Sequence, residues 1–410
     1  MGALADKFIQ PQRLLGISHL LAAGFMLVAA YFGYRAADVA AANAAVEGFR
    51  GDIWPVFIPY VLSVAFYMPT IALSNTVAFT TLSRSGRDFV KAFPPIRTCG
   101  TVGFIAAMWF VNFVGFGVTG EQTFVENGVE AVRTVPLAAQ FTYMQLVVCA
   151  ALGLVLGLYT FTLPRCPIDR SAAQGQKSLA QRLGLDAFVL FRQRKMALFF
   201  VFSMLLGVSL QITNGYATPY INSFAAVSQS WFAENPTLLV SVSQVSEALC
   251  ILLIPFFLKR FGIKRVMLMA MFAWVLRFGF FGIGTTESVA GVASLLLSCV
   301  VYGVAFDFFN VSGALFVEQE AAKPMQASAQ GLFMLMTNGI GASVGTWIAG
   351  KVVDHYCTWN NGYLVAREGV AGGWPATWLV FAGYALVVAV VFAAVFRYKH
   401  DPQRLGAMNH

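Results

Sequence analysis

The sequence predicts an all-α fold that crosses a membrane many times, and three observations predict it. The 410 residues are 58% hydrophobic and only 11% charged, against roughly 25% charged in a soluble domain. Ten largely apolar segments are each long enough to cross a bilayer, which takes about 20 residues as a helix. The basic residues collect in alternate connections between those segments. This composition excludes a water-soluble globular enzyme. It also excludes a disordered chain or a coiled coil, which are rich in charge and poor in Phe; here Phe occurs 38 times.

The apolar segments run near 13–34, 55–82, 96–118, 137–163, 196–227, 237–258, 266–284, 290–317, 329–352 and 376–396. Several exceed what the bilayer needs, which allows tilt or protrusion. Pro69, Pro219 and Pro255 fall inside them. They predict kinks or unwound turns, tolerated where neighbours satisfy the freed backbone.

With the N-terminus inside, the inside segments are 1–13, 83–95, 164–195, 259–265, 318–328 and 397–404, and they hold 20 Lys+Arg and 7 Asp+Glu. The outside segments 35–54, 119–136, 228–236, 285–289 and 351–374 hold 5 and 10. Basic residues mark the cytoplasmic side, so both termini are expected there. The net charge of +8 is therefore a topology signal, and no nucleic-acid partner is expected.

The chain then divides into an N-terminal lobe of four spans (1–163), a basic cytoplasmic linker (164–195), a C-terminal lobe of six spans (196–400) and a tail (401–410). Within the linker, SLAQRLGLDAFVLF (178–191) alternates charge and apolar residues at helical spacing, which predicts a helix lying along the membrane surface. No cleavable signal peptide is expected, because MGALADKF lacks an apolar run. The six Cys show no CxxC or Cys/His spacing, so neither a disulfide framework nor a metal site is expected. No cofactor is expected.

Only four charges remain at membrane depth: Arg97, Glu247, Arg277 and Asp307. Each costs roughly 2.5–3.5 kcal/mol there on insertion scales. Two bases and two acids suggest pairing or a shared polar cavity, and for Arg277 a structural role is the favoured reading. Their neighbours repeat at helical spacing. Arg97, Thr101 and Phe104 share one face. Gln211 and Asn214 are three apart, as are Gln244 and Glu247. Tyr302, Phe306 and Asn310 are four apart, with Asp307 one residue round. Amides and carboxylates facing lipid would be costly, so these stripes are expected to line one aqueous cavity. His19 reads as a hydrogen-bonded interior residue. Asn75, Asn338 and the glycines of GIGASVG (339–345) read as close helix packing and gating, and the Phe residues mostly as lipid-facing bulk.

The stripe chemistry suits a neutral polar solute. Phe104, Tyr302 and Phe306 offer faces to a planar ring, while amides and a carboxylate read hydroxyls and ring amides. A carboxylate weighs against an anionic solute. On chemistry alone, nucleoside and sugar both remain open. A membrane enzyme would need a nucleophile–base pair or metal ligands at depth, and no HExxH or GxSxG is present.

Two loops add a superfamily resemblance. GALADKF (2–8) and LKRFGIKR (258–265) resemble the paired loops after the second and eighth spans of the major facilitator superfamily, and six spans separate them. The resemblance implies two further spans ahead of the first one here; a ten-span protein is the alternative. Longer stretches resemble the NupG-type nucleoside:proton symporters of that superfamily. They include AFYMPTIALSNT (65–76), DFVKAFPPIRTCGTVGFIAAMW (88–109), FSMLLGVSLQITN (202–214), SQVSEALCILLIPFFLKRFGIKRVM (243–267), VYGVAFDFFNVSGALFVEQE (301–320) and ASAQGLFMLMTNGIG (327–341). Outer loops near 35–52, 119–136 and 357–374 depart from the family by being longer.

The resemblance implies proton-coupled nucleoside import by two lobes rocking about a central site. It places Arg97, Thr101 and Phe104 on the N-lobe side, and Gln211, Asn214, Gln244, Glu247, Tyr302 and Phe306 on the C-lobe side. Glu247 and then Asp307 are the expected proton-coupling groups. Nucleoside, protons and the lipid bilayer are the expected partners. A sugar (oligosaccharide):proton symporter of the same superfamily, or an N-terminally truncated and inactive transporter, is the alternative.

Overall fold

The computed structural model describes residues 9–43, 51–85, 89–126, 129–166, 185–226, 230–321, 326–360 and 362–398. The chain divides into two compact units, Met1–Gln176 and Lys177–His410. The tail 401–410 lies outside the described residues, as do 167–184 of the basic connection.

The first unit holds α1 (Pro11–Ala42), α2 (Trp54–Arg84), α3 (Phe89–Phe113) and α4 (Met144–Thr160), with a hairpin of β1 (Thr119–Glu126) and β2 (Val129–Pro136) between the last two helices. Small residues let α1 and α4 approach closely, as membrane helices do when backbone contact replaces hydrophobic drive. A Cβ on Gly153 would meet that of Ala23 at 3.2 Å, and one on Gly157 would strike Leu20 at 2.9 Å. The Ser63 hydroxyl donates to the Ala22 carbonyl at 2.7 Å and ties α2 to α1. His19 is buried and sits edge-on to Tyr67, ring centres 5.9 Å apart.

Of the surface helix expected over 178–191, residues 178–184 lie outside the described residues, and Leu185–Arg192 form a 3₁₀ run. The chain must turn straight into α5 (Arg194–Ser223), and tight 3₁₀ turns are common at helix starts. There follow the short α6 (Trp231–Glu234), α7 (Pro236–Ile283) and α8 (Val289–Glu320). Next come α9 (Gln326–Met334), a π-helical turn Leu335–Gly341 and α10 (Ala342–Tyr356). The hairpin β3 (Cys357–Asn360) and β4 (Tyr363–Ala366) leads to α11 (Gly373–Val395).

Seven helices among the described residues are long and apolar enough to cross a membrane, with shorter apolar helical runs at Cys99–Phe113 and Met144–Thr160. All ten predicted segments fall in helices, because α7 serves for two. Its 48 residues change direction at Gly262 (φ 76°, ψ 164°), leaving α7a (236–261) and α7b (263–283). Helix persists through Pro69, Pro219 and Pro255, so the chain does not unwind at these prolines. A proline lacks one amide hydrogen but keeps a helical φ, whereas the backbone at Gly262 is open essentially to glycine alone. Gly262→Ala is expected to cost about 1–3 kcal/mol, read as a lower unfolding midpoint of the purified protein. An unchanged midpoint would mean that the turn accommodates a negative φ.

The two hairpins lie in connections read from the sequence as loops. Asn127-Gly128 separates β1 from β2, and Gly362 (φ 81°) follows β3; such pairs are hairpin signals. The core of the second unit is aromatic. Twelve Phe are buried there, among them Phe199, Phe308, Phe316 and Phe333. These Phe are core rather than lipid-facing bulk: ring faces and edges fill the gaps where helices cross, as where Phe199 meets Phe316 at 4.8 Å.

Candidate functional site

Three of the four polar stripes belong to the second unit. They are held by packing rather than by loops. A Cβ on Gly303 of α8 would fall 2.6 Å from the Ser246 carbonyl oxygen of α7a, so only glycine lets the two helices approach here. The Ser246 hydroxyl donates to the Val300 carbonyl across the same contact. The next residue on α7a is Glu247, and the one before Gly303 is Tyr302. Close packing at one point therefore brings the carboxylate helix against the aromatic helix.

Tyr302 is buried, and its ring stacks on the half-buried Phe306 at 5.7 Å and 4°. Trp274 meets it edge-on at 5.9 Å. Glu247, Asp307 and Arg277 all lie within electrostatic reach of its phenol. Asp307 is buried at 5% exposure and also acts on Cys250 of α7a. Gln244 and Glu247 are half-buried. The structure thus brings Glu247, Tyr302, Phe306 and Asp307 together.

Arg277 of α7b is the junction. It is fully buried and, among the described residues, forms no ion pair. Its Nε donates to the Thr213 hydroxyl at 3.3 Å, and one terminal nitrogen donates to the Ser243 hydroxyl at 3.4 Å and the Ser298 carbonyl at 2.8 Å. The guanidinium lies 4.4 Å from the Tyr302 ring centre and 5.0 Å from that of Phe281, where the ring quadrupole attracts a cation. The sequence suggests base–acid pairing; Arg277 instead uses hydroxyls, a carbonyl and ring faces. Each hydroxyl partner precedes a candidate site residue: Thr213 precedes Asn214, and Ser243 precedes Gln244. One buried cation fixes the backs of all three stripes. Nothing in the spacing of Arg277 announces these partners, since Ser and Thr are common in membrane helices.

Gln211 is half-buried and Asn214 exposed on α5. Their surroundings differ from those of the Glu247 group: Gln211 opens on a separate cavity with Tyr216, Asp354 and Trp359, three residues that sequence reasoning missed because they come from three elements. On α3 of the first unit, Thr101 is half-buried and Phe104 is 53% exposed. Arg97 falls on the same helix, with its side chain outside the described ones, as is that of Asn75 on α2. Asn338 is exposed in the π-helical turn. Gly341 and Gly345 do serve close packing: a Cβ on Gly345 would sit 2.8 Å from the Val208 Cα.

A larger concavity of about 640 Å³ lies along Leu268, Phe272 and Val304. Its lining is almost wholly apolar, so it cannot read a polar solute. Among the described residues no group of His, Cys, Asp and Glu could hold a metal ion.

A helical membrane unit with one buried and one half-buried carboxylate beside stacked aromatics is the build of a solute transporter of the major facilitator type, not of an enzyme. The chain belongs to the nucleoside H+ symporter family, whose family model matches residues 1–401. It is 43% identical to the xanthosine permease of Escherichia coli (strain K12) over 408 residues, 99% of this chain and 85% of that protein. It is 39% identical to the nucleoside permease NupG of the same strain over 403 residues, 98% of this chain and 84% of that one. The fold superposes on a crystal structure of NupG with a TM-score of 0.75 at 39% identity, covering 97% of this chain and 86% of that one. A mutant NupG crystal structure gives 0.78 at 38% identity, with the same coverage. The sugar alternative is not favoured by these relatives.

Proposed function

We propose that this nucleoside:proton symporter works as an importer in a bacterial inner membrane, with both termini cytoplasmic and two lobes alternating about a mid-membrane site. The lobes are 1–163 and 196–400, joined by the basic linker 164–195. The base stacks on Phe104, Tyr302 or Phe306. Arg97, Thr101, Gln211, Asn214, Gln244 and Glu247 hydrogen-bond to base and ribose. Glu247 couples the proton to the solute, with Asp307 second. The bilayer is the solvent for the helices, no cofactor takes part, and the proton gradient drives accumulation.

One observation carries this reading: two carboxylates lie within electrostatic reach of the Tyr302 phenol, whose ring stacks on Phe306. A stacked ring offers a planar solute its natural platform. A carboxylate that can be neutral or charged at the same place can bind solute and proton together.

The test is uptake of labelled uridine into liposomes under an imposed pH gradient. Unlabelled uridine, adenosine and xanthosine are expected to compete and lactose is not. Competition by lactose with nucleosides inert would overturn the nucleoside assignment.

A further inference from the structure

Helices α5 and α10 touch at one level and part at the next. Where they touch, glycine is required: a Cβ on Gly341 would strike the Met204 carbonyl, and one on Gly345 would meet Val208 and, at 3.2 Å, the Gln211 side chain. Further along both helices the contact opens. A Cβ on Gly215 meets nothing within 4 Å, and one on Gly350 meets only the Tyr216 hydroxyl, at 3.5 Å. The gap is a cavity of about 220 Å³. It runs from Gln211 past Gly215 and Tyr216 to Pro219, roughly 12 Å of helix at 1.5 Å per residue. Thr346 and Asp354 of α10 form the facing wall, and Trp359 of the β3–β4 hairpin lies at the rim.

The hairpin is braced: the Trp374 indole of α11 donates to the Leu364 carbonyl at 2.7 Å. Trp359, by contrast, is 67% exposed. The charge asymmetry of the loops puts this end of α10 outside. An exposed indole, a carboxylate within electrostatic reach of the Tyr216 phenol and an amide at the inner end thus surround one polar cavity on the external side.

We infer that this cavity is an outer docking subsite for the nucleoside, occupied before the solute passes Gln211. The inference deepens the proposed function and rests on it. The indole face receives the planar base, as aromatic faces do. The Asp354 carboxylate accepts hydrogen bonds from the vicinal ribose hydroxyls, and charge-assisted bonds of this kind are the strong ones. The same carboxylate repels a phosphate, so nucleotides are turned away at the mouth. Gln211 is shared by the outer cavity and the central stripe on α5, which makes it the point of hand-over.

The test compares the full chain with its Trp359→Ala and Asp354→Asn variants in gradient-driven uptake by liposomes. Each is expected to raise the KM for uridine about five- to thirty-fold, the effect of losing one partner of a hydrogen bond or stack, with the maximal rate within about twofold. Both positions are exposed, so folding is not at issue. The preference for uridine over 2′,3′-dideoxyuridine is expected to fall at least threefold in Asp354→Asn and to persist in Trp359→Ala, a split that a general structural defect would not give. Wild-type KM in both variants, or an unchanged sugar preference in Asp354→Asn, overturns the subsite. Failure of the unsubstituted chain to accumulate uridine overturns the parent reading instead.

Discussion

Glu247→Gln is expected to abolish gradient-driven accumulation of nucleoside while leaving exchange across the membrane intact. Gln has the shape of a protonated Glu but cannot release the proton. The carrier can still bind solute and still reorient. It can no longer tie that cycle to proton movement. One proton moving down about 150 mV supplies roughly 3.5 kcal/mol, which sustains an accumulation of a few hundred-fold for a neutral solute. The variant should level off near a ratio of about one on the same arithmetic. The measurement is labelled uridine uptake in liposomes with and without a pH gradient, beside counterflow against unlabelled uridine. Gradient-driven accumulation at the wild-type level would exclude Glu247 as the coupling group. Asp307→Asn is the paired control, because Asp307 is buried and within reach of the same phenol. If only Asp307→Asn uncouples, the roles of the two acids are exchanged.

Much of the fold is legible because a bilayer imposes a one-dimensional rule: about 20 apolar residues per crossing. Each span can be read without knowing its neighbours. What the rule does not reach was misread or missed. The turn inside α7 falls at Gly262, within the connection 259–265 read between two spans, but helix runs up to it from both sides and no loop separates them. The π-helical turn at Leu335–Gly341 depends on a carbonyl register that side-chain pattern does not encode. Both hairpins lie in connections where an apolar-segment reading gives no signal, although Asn-Gly and Gly362 stand at their tips.

The site divides in the same way. Glu247, Tyr302, Phe306 and Asp307 were readable because helical periodicity puts charge and aromatic groups on one face. Gln211 and Asn214 were readable as polar interruptions, but not the cavity beside Gln211, which needs α10 and the hairpin as well. Arg277 was visible as a charge and invisible as a junction. Its partners are two hydroxyls, a carbonyl and two rings, and backbone carbonyls carry no sequence signature.

That junction carries the second large expectation. Arg277→Lys should lower the specificity constant for nucleoside uptake about ten- to a hundred-fold, taking 1.5–3 kcal/mol for hydrogen bonds to a charged group and about 1.4 kcal/mol per tenfold. Lysine keeps the charge but loses the planar fork that reaches separate helices at once. Thr213, Ser243 and Ser298 would no longer be held to one group, and the ring of Tyr302 would lose the flat cation lying 4.4 Å from its centre. Arg277→Leu should depress uptake further while leaving the unfolding midpoint near that of the wild type. A fully buried cation with no ion pair among the described residues is costly to keep in an apolar interior, and replacing buried charged groups with packed hydrophobes is often neutral or stabilising. Stability and transport should therefore separate: the leucine variant folds but binds its solute on a mobile platform. Its KM should rise more than its maximal rate falls, because Tyr302 is the ring on which Phe306 stacks. If Arg277→Leu instead unfolds while Arg277→Lys transports normally, the cation holds the helices together and nothing more. If both transport normally, Tyr302 needs no help in keeping its place.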